Sequence, residues 1–310
     1  MKIEQNSFVI SDAGLAPAYK GSGYIDIFRS LSALNGKSVP MTKRHKGKYK
    51  PLAALIRVRT FGGTVNIETL NSGYPTRNAV VLSGVARDAM LKSAGVSRSN
   101  LESYQKGLRI LMDTVQSDSN TWLPNGFKPG TMDTDPTDPD PDEYGTDAYG
   151  WNVQYDYTDL VHADGSAADV DVRGTMCMLG SSTVVTDGSG NTFFPLIHNW
   201  TQFRHDFTPS DSADDIAENA FSKIMQQGQT ADSIIDIVED EQDEKPYQLS
   251  DFTTRTISTV CGSLVGNPVS DIICVPLGLM KVSLNNNDGA TPPVSLPTSF
   301  QIEVVGVTEL

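Results

Sequence analysis

The chain has 310 residues, a formal net charge of -14 at pH 7, and 38% hydrophobic residues. This hydrophobic content, with 26 glycines and 17 prolines, excludes a disordered chain and indicates a loop-rich fold of one large β domain or two smaller ones. The acidic balance argues against a protein that wraps nucleic acid over its whole surface.

The first quarter of the chain predicts mainly β structure. Four runs of alternating or apolar residues are bounded by turn residues, at residues 7–10, 24–34, 52–61 and 64–70. A basic connector at residues 43–50 precedes the third run. In that run Leu55, Arg57 and Arg59 share one face of the predicted strand, while Ile56 and Val58 share the other. Gly62 and Gly63 mark a turn before the fourth run.

Helices are predicted in two places along the chain. Asn78–Ala94 has apolar residues at helical spacing, and a capping-box pattern at Ser99 and Glu102 opens a second helix with Leu108 and Leu111 on its apolar stripe. Similar spacing recurs at residues 212–225 and 231–238. We expect helical insertions over about residues 78–113 and 211–240.

The second half of the chain predicts strands again. The candidates are Trp151–Leu160, Val170–Leu179, Thr183–Thr186, Thr192–Phe203, Thr256–Leu264, Ile272–Leu284 and Phe300–Val307. The turn sequence of residues 187–190, Asp-Gly-Ser-Gly, predicts a hairpin. The last strand must be paired inside a sheet, because both its apolar side chains and its backbone groups need partners.

These elements predict a mainly β protein, a jelly-roll β-sandwich with helical insertions. Long excursions between strands are typical of a double-sheet jelly roll rather than of a hairpin-rich meander. Eight to ten strands favour a single elaborated roll over residues 1–310. Two jelly rolls, at residues 1–150 and 151–310, are the alternative, favoured by one helical insertion in each half.

The basic connector and the strand after it form a candidate contact site for nucleic acid or for a neighbouring subunit. Cations of this kind pair with phosphates or with acidic side chains. A solvated loop is the alternative interpretation. The candidate residues are Lys43, Arg44, Lys46, Lys48, Lys50, Arg57 and Arg59.

An acidic segment, residues 133–147 (DTDPTDPDPDEYGTD), is a candidate calcium site, because clustered carboxylates supply the hard oxygen ligands that Ca²⁺ prefers. It lacks the spacing of an EF-hand loop, and its Asp-Pro steps favour an extended backbone. A solvated loop is again the alternative. The candidate ligands are Asp133, Asp135, Asp138, Asp140, Asp142 and Glu143.

Catalytic and metal-binding patterns are weak in this sequence. His45, His162, His198 and His205 show no HExxH or tight ligand spacing, and no P-loop, GxSxG or GxGxxG occurs. The three cysteines, Cys177, Cys261 and Cys274, lack CxxC spacing and are expected to be buried, reduced thiols. We expect no enzymatic activity and no cofactor other than Ca²⁺ between subunits.

The final strands ICVPLGLMKVSL and FQIEVVGVTEL, with the Asn/Pro loop between them, resemble the closing strands of jelly-roll capsid proteins of small icosahedral DNA viruses and phages. The resemblance implies a virion protein that self-assembles, contacts other virion proteins, and takes no small-molecule substrate. Those capsid proteins often begin with an Arg-rich arm. Its absence here suits a shell lined by a membrane or another protein, although the genome remains a candidate partner.

The leading hypothesis is therefore a major capsid subunit. We expect it to be made in the host cytoplasm, because the sequence predicts no signal peptide and no membrane span. The alternative is a β-sandwich binding module such as a receptor-binding spike or an adhesin. A third hypothesis is a hydrolase on a β scaffold, with His162, Asp164, Asp169 and Asp171 as the first residues to test.

Overall fold

The computed structural model describes residues 4–10, 22–45, 48–61, 64–93, 108–116, 120–125, 159–162, 172–179, 185–186, 192–205, 256–261, 269–285 and 299–310. Within these residues the protein is mainly β, with antiparallel sheets compatible with a β-sandwich. The helices are α1 (Ile27–Asn35), α2 (Tyr74–Ser93) and α3 (Leu196–His205).

The strands of the described residues fall into three sheets. In chain order they are β1 (Ser7–Ile10), β2 (Ser22–Asp26), β3 (Thr42–His45), β4 (Lys48–Phe61), β5 (Thr64–Thr69), β6 (Asp159–His162), β7 (Val172–Cys177), β8 (Val185–Thr186), β9 (Thr192–Pro195), β10 (Thr256–Cys261), β11 (Ile273–Pro276), β12 (Leu279–Asn285) and β13 (Ser299–Glu309). The first sheet has the order β1-β13-β4-β11, and β3 also pairs with β4. The second sheet has the order β10-β5-β12-β2.

The first and second sheets share one hydrophobic core. Their alternating side chains place apolar residues on one face of each sheet, as a half-buried strand requires. Buried members from the first sheet include Ile56, Val58 and Ile302, and those from the second include Ile67 and Val282. The final strand, β13, lies between β1 and β4, so its predicted pairing inside a sheet is confirmed.

A large insertion separates β5 from β10. It contains α2, the third sheet with the order β6-β7-β9-β8, and α3. Helix α2 packs against both β4 and α3, and the rings of Tyr74 and Trp200 meet edge to face at 5.9 Å. The predicted hairpin agrees with the antiparallel pairing of β8 with β9. The predicted helical insertion at residues 211–240 lies outside the described residues.

The strand predicted over residues 24–34 is wrong beyond Asp26. The Asp26 side chain caps a helix by accepting a hydrogen bond from the Arg29 backbone N–H at 2.8 Å. Helix α1 then ends at Gly36, which adopts φ 58°. The apolar residues that suggested a strand instead form the buried side of this helix.

The strand predicted over Ile272–Leu284 is two strands in two different sheets. β11 belongs to the first sheet and β12 to the second. The chain turns between them at Leu277 (φ 58°) and Gly278 (φ 70°), after Pro276, which has no backbone N–H to continue a ladder. This segment is therefore a crossing between sheets.

Two further predictions fail for related reasons. The predicted strand Thr192–Phe203 ends at Pro195 and continues as α3, whose residues Leu196, Ile197 and Trp200 are buried at helical spacing. The end of the predicted helix at residues 99–111 is extended instead. Leu111 forms a β-bridge with Cys177, and its N–H donates to the Met176 carbonyl at 3.0 Å.

Candidate interaction surfaces

The predicted basic connector is a β-hairpin, formed by β3 and the start of β4. Its register pairs Lys43 with Lys50, Arg44 with Tyr49, and His45 with Lys48. Cross-strand partners share a face, and alternate residues of a strand point to opposite faces. The hairpin therefore has one face of basic residues, named here the cationic hairpin face: Lys43, His45, Lys48 and Lys50.

The other face of the hairpin packs on helix α2. Arg44 Nη2 lies 2.8 Å from Asp88 Oδ2, and the Tyr49 hydroxyl donates to Asp88 Oδ1 at 2.9 Å. A side chain at Gly84 would overlap the Tyr49 ring, so glycine permits this close approach. Burial, with the hydrogen bond to Asp88, raises the pKa of Tyr49. Arg44 thus fastens the hairpin to α2.

The cationic hairpin face already holds one carboxylate. Lys50 Nζ donates to Glu309 Oε2 at 2.6 Å, and Lys43 Nζ lies 3.9 Å from Glu309 Oε1. The hydrogen bond from Lys50, and the charges of Lys50, Lys43 and His45, lower the pKa of Glu309. The lysine side chains remain largely exposed, at 61% for Lys43 and 42% for Lys50.

Arg57 and Arg59 form a separate surface. They are exposed on β4, on the opposite face of that strand from Lys48 and Lys50. Seven residues of strand separate Arg57 from Lys50, a distance of about 23 Å. The structure therefore places Lys43, Lys48 and Lys50 on one surface and Arg57 and Arg59 on another. Arg44 pairs with Asp88 of α2, and Lys46 lies outside the described residues.

A shallow groove runs beside Arg57 and Arg59 on the first sheet. Glu303 and Gln301 of β13 stand directly opposite these arginines. The groove also includes Asp271 and Ser270, so charges of both signs line it. Exposed apolar side chains surround it: Val9, Val269, Ile272 and Val305. This mixture suits contact with a protein surface more than with a phosphate chain.

A buried polar cluster ties residues 108–116 to the first part of the chain. Arg109 Nη1 lies 3.7 Å from Asp26 Oδ2, and Arg109 Nη2 donates to the Val39 carbonyl at 2.9 Å. The Tyr24 hydroxyl donates to Asp113 Oδ2 at 2.8 Å. Sequence patterns gave no signal for this cluster, except that Asp26 precedes a run with helical spacing.

The candidate catalytic residues are dispersed or lie outside the described residues. His45 is on the hairpin, His162 ends β6, and His198 and His205 are in α3. Burial lowers the pKa of His198. Among the described residues no three His, Cys, Asp or Glu side chains are grouped to hold a metal ion. Asp164, Asp169, Asp171 and the whole acidic segment lie outside the described residues.

The cysteines differ in burial. Cys177 is buried, its Sγ lies 3.2 Å from the Leu179 carbonyl, and burial raises the pKa of its thiol. Cys274 is exposed, which contradicts the prediction of a buried thiol. It pairs with Leu55 on β4 while the next residue, Val275, points into the core. Cys261 lies in β10, and nothing is described of its side chain.

Comparison with protein-family models, curated proteins and solved structures finds no match to this chain. No helix in the described part of the chain is long and apolar enough to cross a membrane.

Proposed function

We propose that this chain is a jelly-roll capsid subunit whose copies assemble into an icosahedral virus shell. One observation carries the proposal, the pairing order of eight of the nine described strands in the two core sheets, with β3 as the additional strand. In chain order these strands pair first with last, second with second-last, and so on inward: β1 with β13, β2 with β12, β4 with β11, and β5 with β10.

This nested order results when a long antiparallel hairpin is rolled up so that its successive strand pairs alternate between two sheets, as in a jelly roll. The remaining pairings, β13 with β4 and β12 with β5, join the strand pairs within each sheet. One set of eight strands drawn from both ends of the chain favours a single roll over residues 1–310. The insertion between β5 and β10 then decorates one connection of that roll.

The interior of the proposed roll supports a structural role. Its inward-facing side chains include the buried apolar residues Ile25, Val58, Ile67, Met280 and Phe300, and the buried polar members on the same faces are small, such as Thr60 and Thr69. A packed interior leaves recognition to the outer faces and loops, which are the parts that contact neighbouring copies in a symmetric assembly. We propose a non-enzymatic subunit that resides in the virion.

Electron microscopy of the purified protein, with and without Ca²⁺, tests this function. We expect closed shells, hexagonal sheets or capsomer rings. Calcium dependence of those assemblies would implicate the acidic segment as a metal site between subunits. Monodisperse monomers or isolated trimers under every condition would overturn the capsid proposal and favour a spike or adhesin-type binding module.

A further inference from the structure

We propose that the cationic hairpin face binds the acidic segment of a neighbouring copy of this chain. The proposal rests on the proposed assembly of many copies, and it names one of the contacts between them. The charges on the hairpin, its position in the first sheet and the sequence of the acidic segment support it.

The hairpin shows that it accepts carboxylates. Glu309 lies against Lys50 at 2.6 Å and against Lys43 at 3.9 Å. That single carboxylate faces three lysines and a histidine. Lys48 is exposed and has no carboxylate within 4 Å among the described residues. The face therefore retains an excess of positive charge on a chain of net charge -14.

The acidic segment has the complementary chemistry. It has six carboxylates in the eleven residues 133–143, and no Lys or Arg occurs between Lys128 and Arg173. Three of its aspartates precede proline, a step that favours extended backbone. A short acidic segment of this length matches the size of a two-stranded hairpin. A long nucleic acid would also meet the acidic remainder of the subunit, which disfavours it.

The positions of the hairpin and of Asn125 suit a contact between copies. The backbone N–H of Asn125, the last described residue before the segment, donates to the Val9 carbonyl. Val9 pairs with Gln301, and Gln301 pairs with Arg59 on β4. Lys50 lies nine residues from Arg59 along β4, a distance of about 30 Å. Asn125 and the hairpin are thus at opposite ends of the first sheet. Eight residues from Asn125 to Asp133 span at most about 29 Å, so this first carboxylate does not reach Lys50 of its own copy. The later carboxylates are far enough along the chain to reach it, so binding within one copy is the competing outcome of the assembly test.

A head-to-tail arrangement of copies brings these two ends together. Such heterologous contacts close into rings when the rotation between subunits permits it, as around the symmetry axes of a shell. Each exposed ion pair contributes little free energy, and the same contact repeated around a symmetry axis adds up to a useful stabilisation of the assembly. Salt should weaken the contact, since it screens the charges. Ca²⁺ bound to the same carboxylates would replace the hairpin, so a Ca²⁺ requirement for assembly would count against this contact.

Peptide binding tests the contact without requiring a shell. A fluorescent peptide of residues 131–145 is titrated with the full chain at low salt, and anisotropy is measured. We expect the double substitution Lys43→Gln with Lys50→Gln to weaken binding about fivefold or more, and Lys48→Gln to weaken it by a smaller factor. Arg57→Gln with Arg59→Gln removes the same charge from the other surface and should change affinity less than twofold. Equal effects of the two double substitutions, or no binding of the peptide, would overturn the proposal.

Charge reversal tests the contact in assembly. We expect Lys43→Glu with Lys50→Glu, and separately Asp138→Lys with Asp140→Lys, to reduce the wild-type yield of assemblies in light scattering. An equimolar mixture of the two variants should recover part of that yield, because at some contacts the two acidic residues of a reversed hairpin meet the two lysines of a reversed segment. No recovery would indicate that hairpin and segment bind within one copy and would overturn the proposal. If the wild type forms shells and both reversal variants form them in the same yield, this contact is overturned and the capsid function is not. Peptide binding without any shell would instead count against the capsid function.

Discussion

Replacing Gly278 by alanine tests the turn that carries the chain from the first sheet to the second. Gly278 has φ 70°, in the left-handed region, where an L-residue costs about 1 to 2 kcal/mol. Its Cβ would lie 2.7 Å from Cδ2 of Phe28. Phe28 is fully buried, so the ring cannot move into solvent, and such overpacking typically costs about 1 to 3 kcal/mol. We expect the free energy of unfolding to fall by about 2 to 5 kcal/mol.

Urea unfolding followed by tryptophan fluorescence measures this loss as a lower midpoint at an unchanged slope. Gly306→Ala is the matched control. Gly306 lies in β13, its φ is not positive, and a Cβ there would meet nothing within 4 Å. We expect that variant to stay within about 0.5 kcal/mol of the wild type. Equal stability of the two alanine variants would refute the reasoning about strain and overlap at the crossing.

Three further predictions follow from other parts of the chain. Asp26→Asn keeps a good helix cap but removes the carboxylate charge that lies 3.7 Å from the largely buried Arg109 guanidinium, so we expect a loss of about 3 kcal/mol in urea unfolding; an unchanged midpoint would contradict a buried ion pair. Because Lys50 lowers the pKa of Glu309, this pair is intact above the ordinary carboxyl pKa and is lost as pH falls through the lowered value. An NMR titration of Glu309 should therefore show a higher pKa in Lys50→Gln, and an identical pKa would argue against the pair. If residues 133–147 hold Ca²⁺ between subunits, EGTA should disperse assemblies and added Ca²⁺ should restore them, as light scattering would show.

Local patterns in the sequence predicted several elements correctly. The alternation of β4, with Arg57 and Arg59 outward and Ile56 and Val58 inward, is confirmed by their burial. A strand with one buried face has apolar residues at every second position, so this alternation is visible in the sequence. Helix α2 was also predicted, although it begins four residues earlier, at Tyr74. Helix ends depend on caps and packing, which short windows of sequence specify poorly.

Apolar runs that change structure midway were predicted less well. The runs at residues 24–34 and 192–203 each begin as a strand and continue as a helix. A short apolar run satisfies both periods, and the choice is made by a capping side chain such as Asp26 or by a break such as Pro195. Cys274 was predicted to be buried because it lies in an apolar run, and its exposure depends on which face β11 turns to the core.

The sequence by itself determined that the protein is mainly β, that its last strand is paired, and that basic and acidic residues are concentrated in separate segments. These are local properties, set by the composition and spacing of neighbouring residues. Only the tertiary structure decided that β1 pairs with β13, that β11 and β12 belong to different sheets, and that Lys50 and Arg57 face opposite ways. Such pairings join residues up to about three hundred positions apart, and their free energy comes from burying both sheets in one core, which no local window of sequence contains.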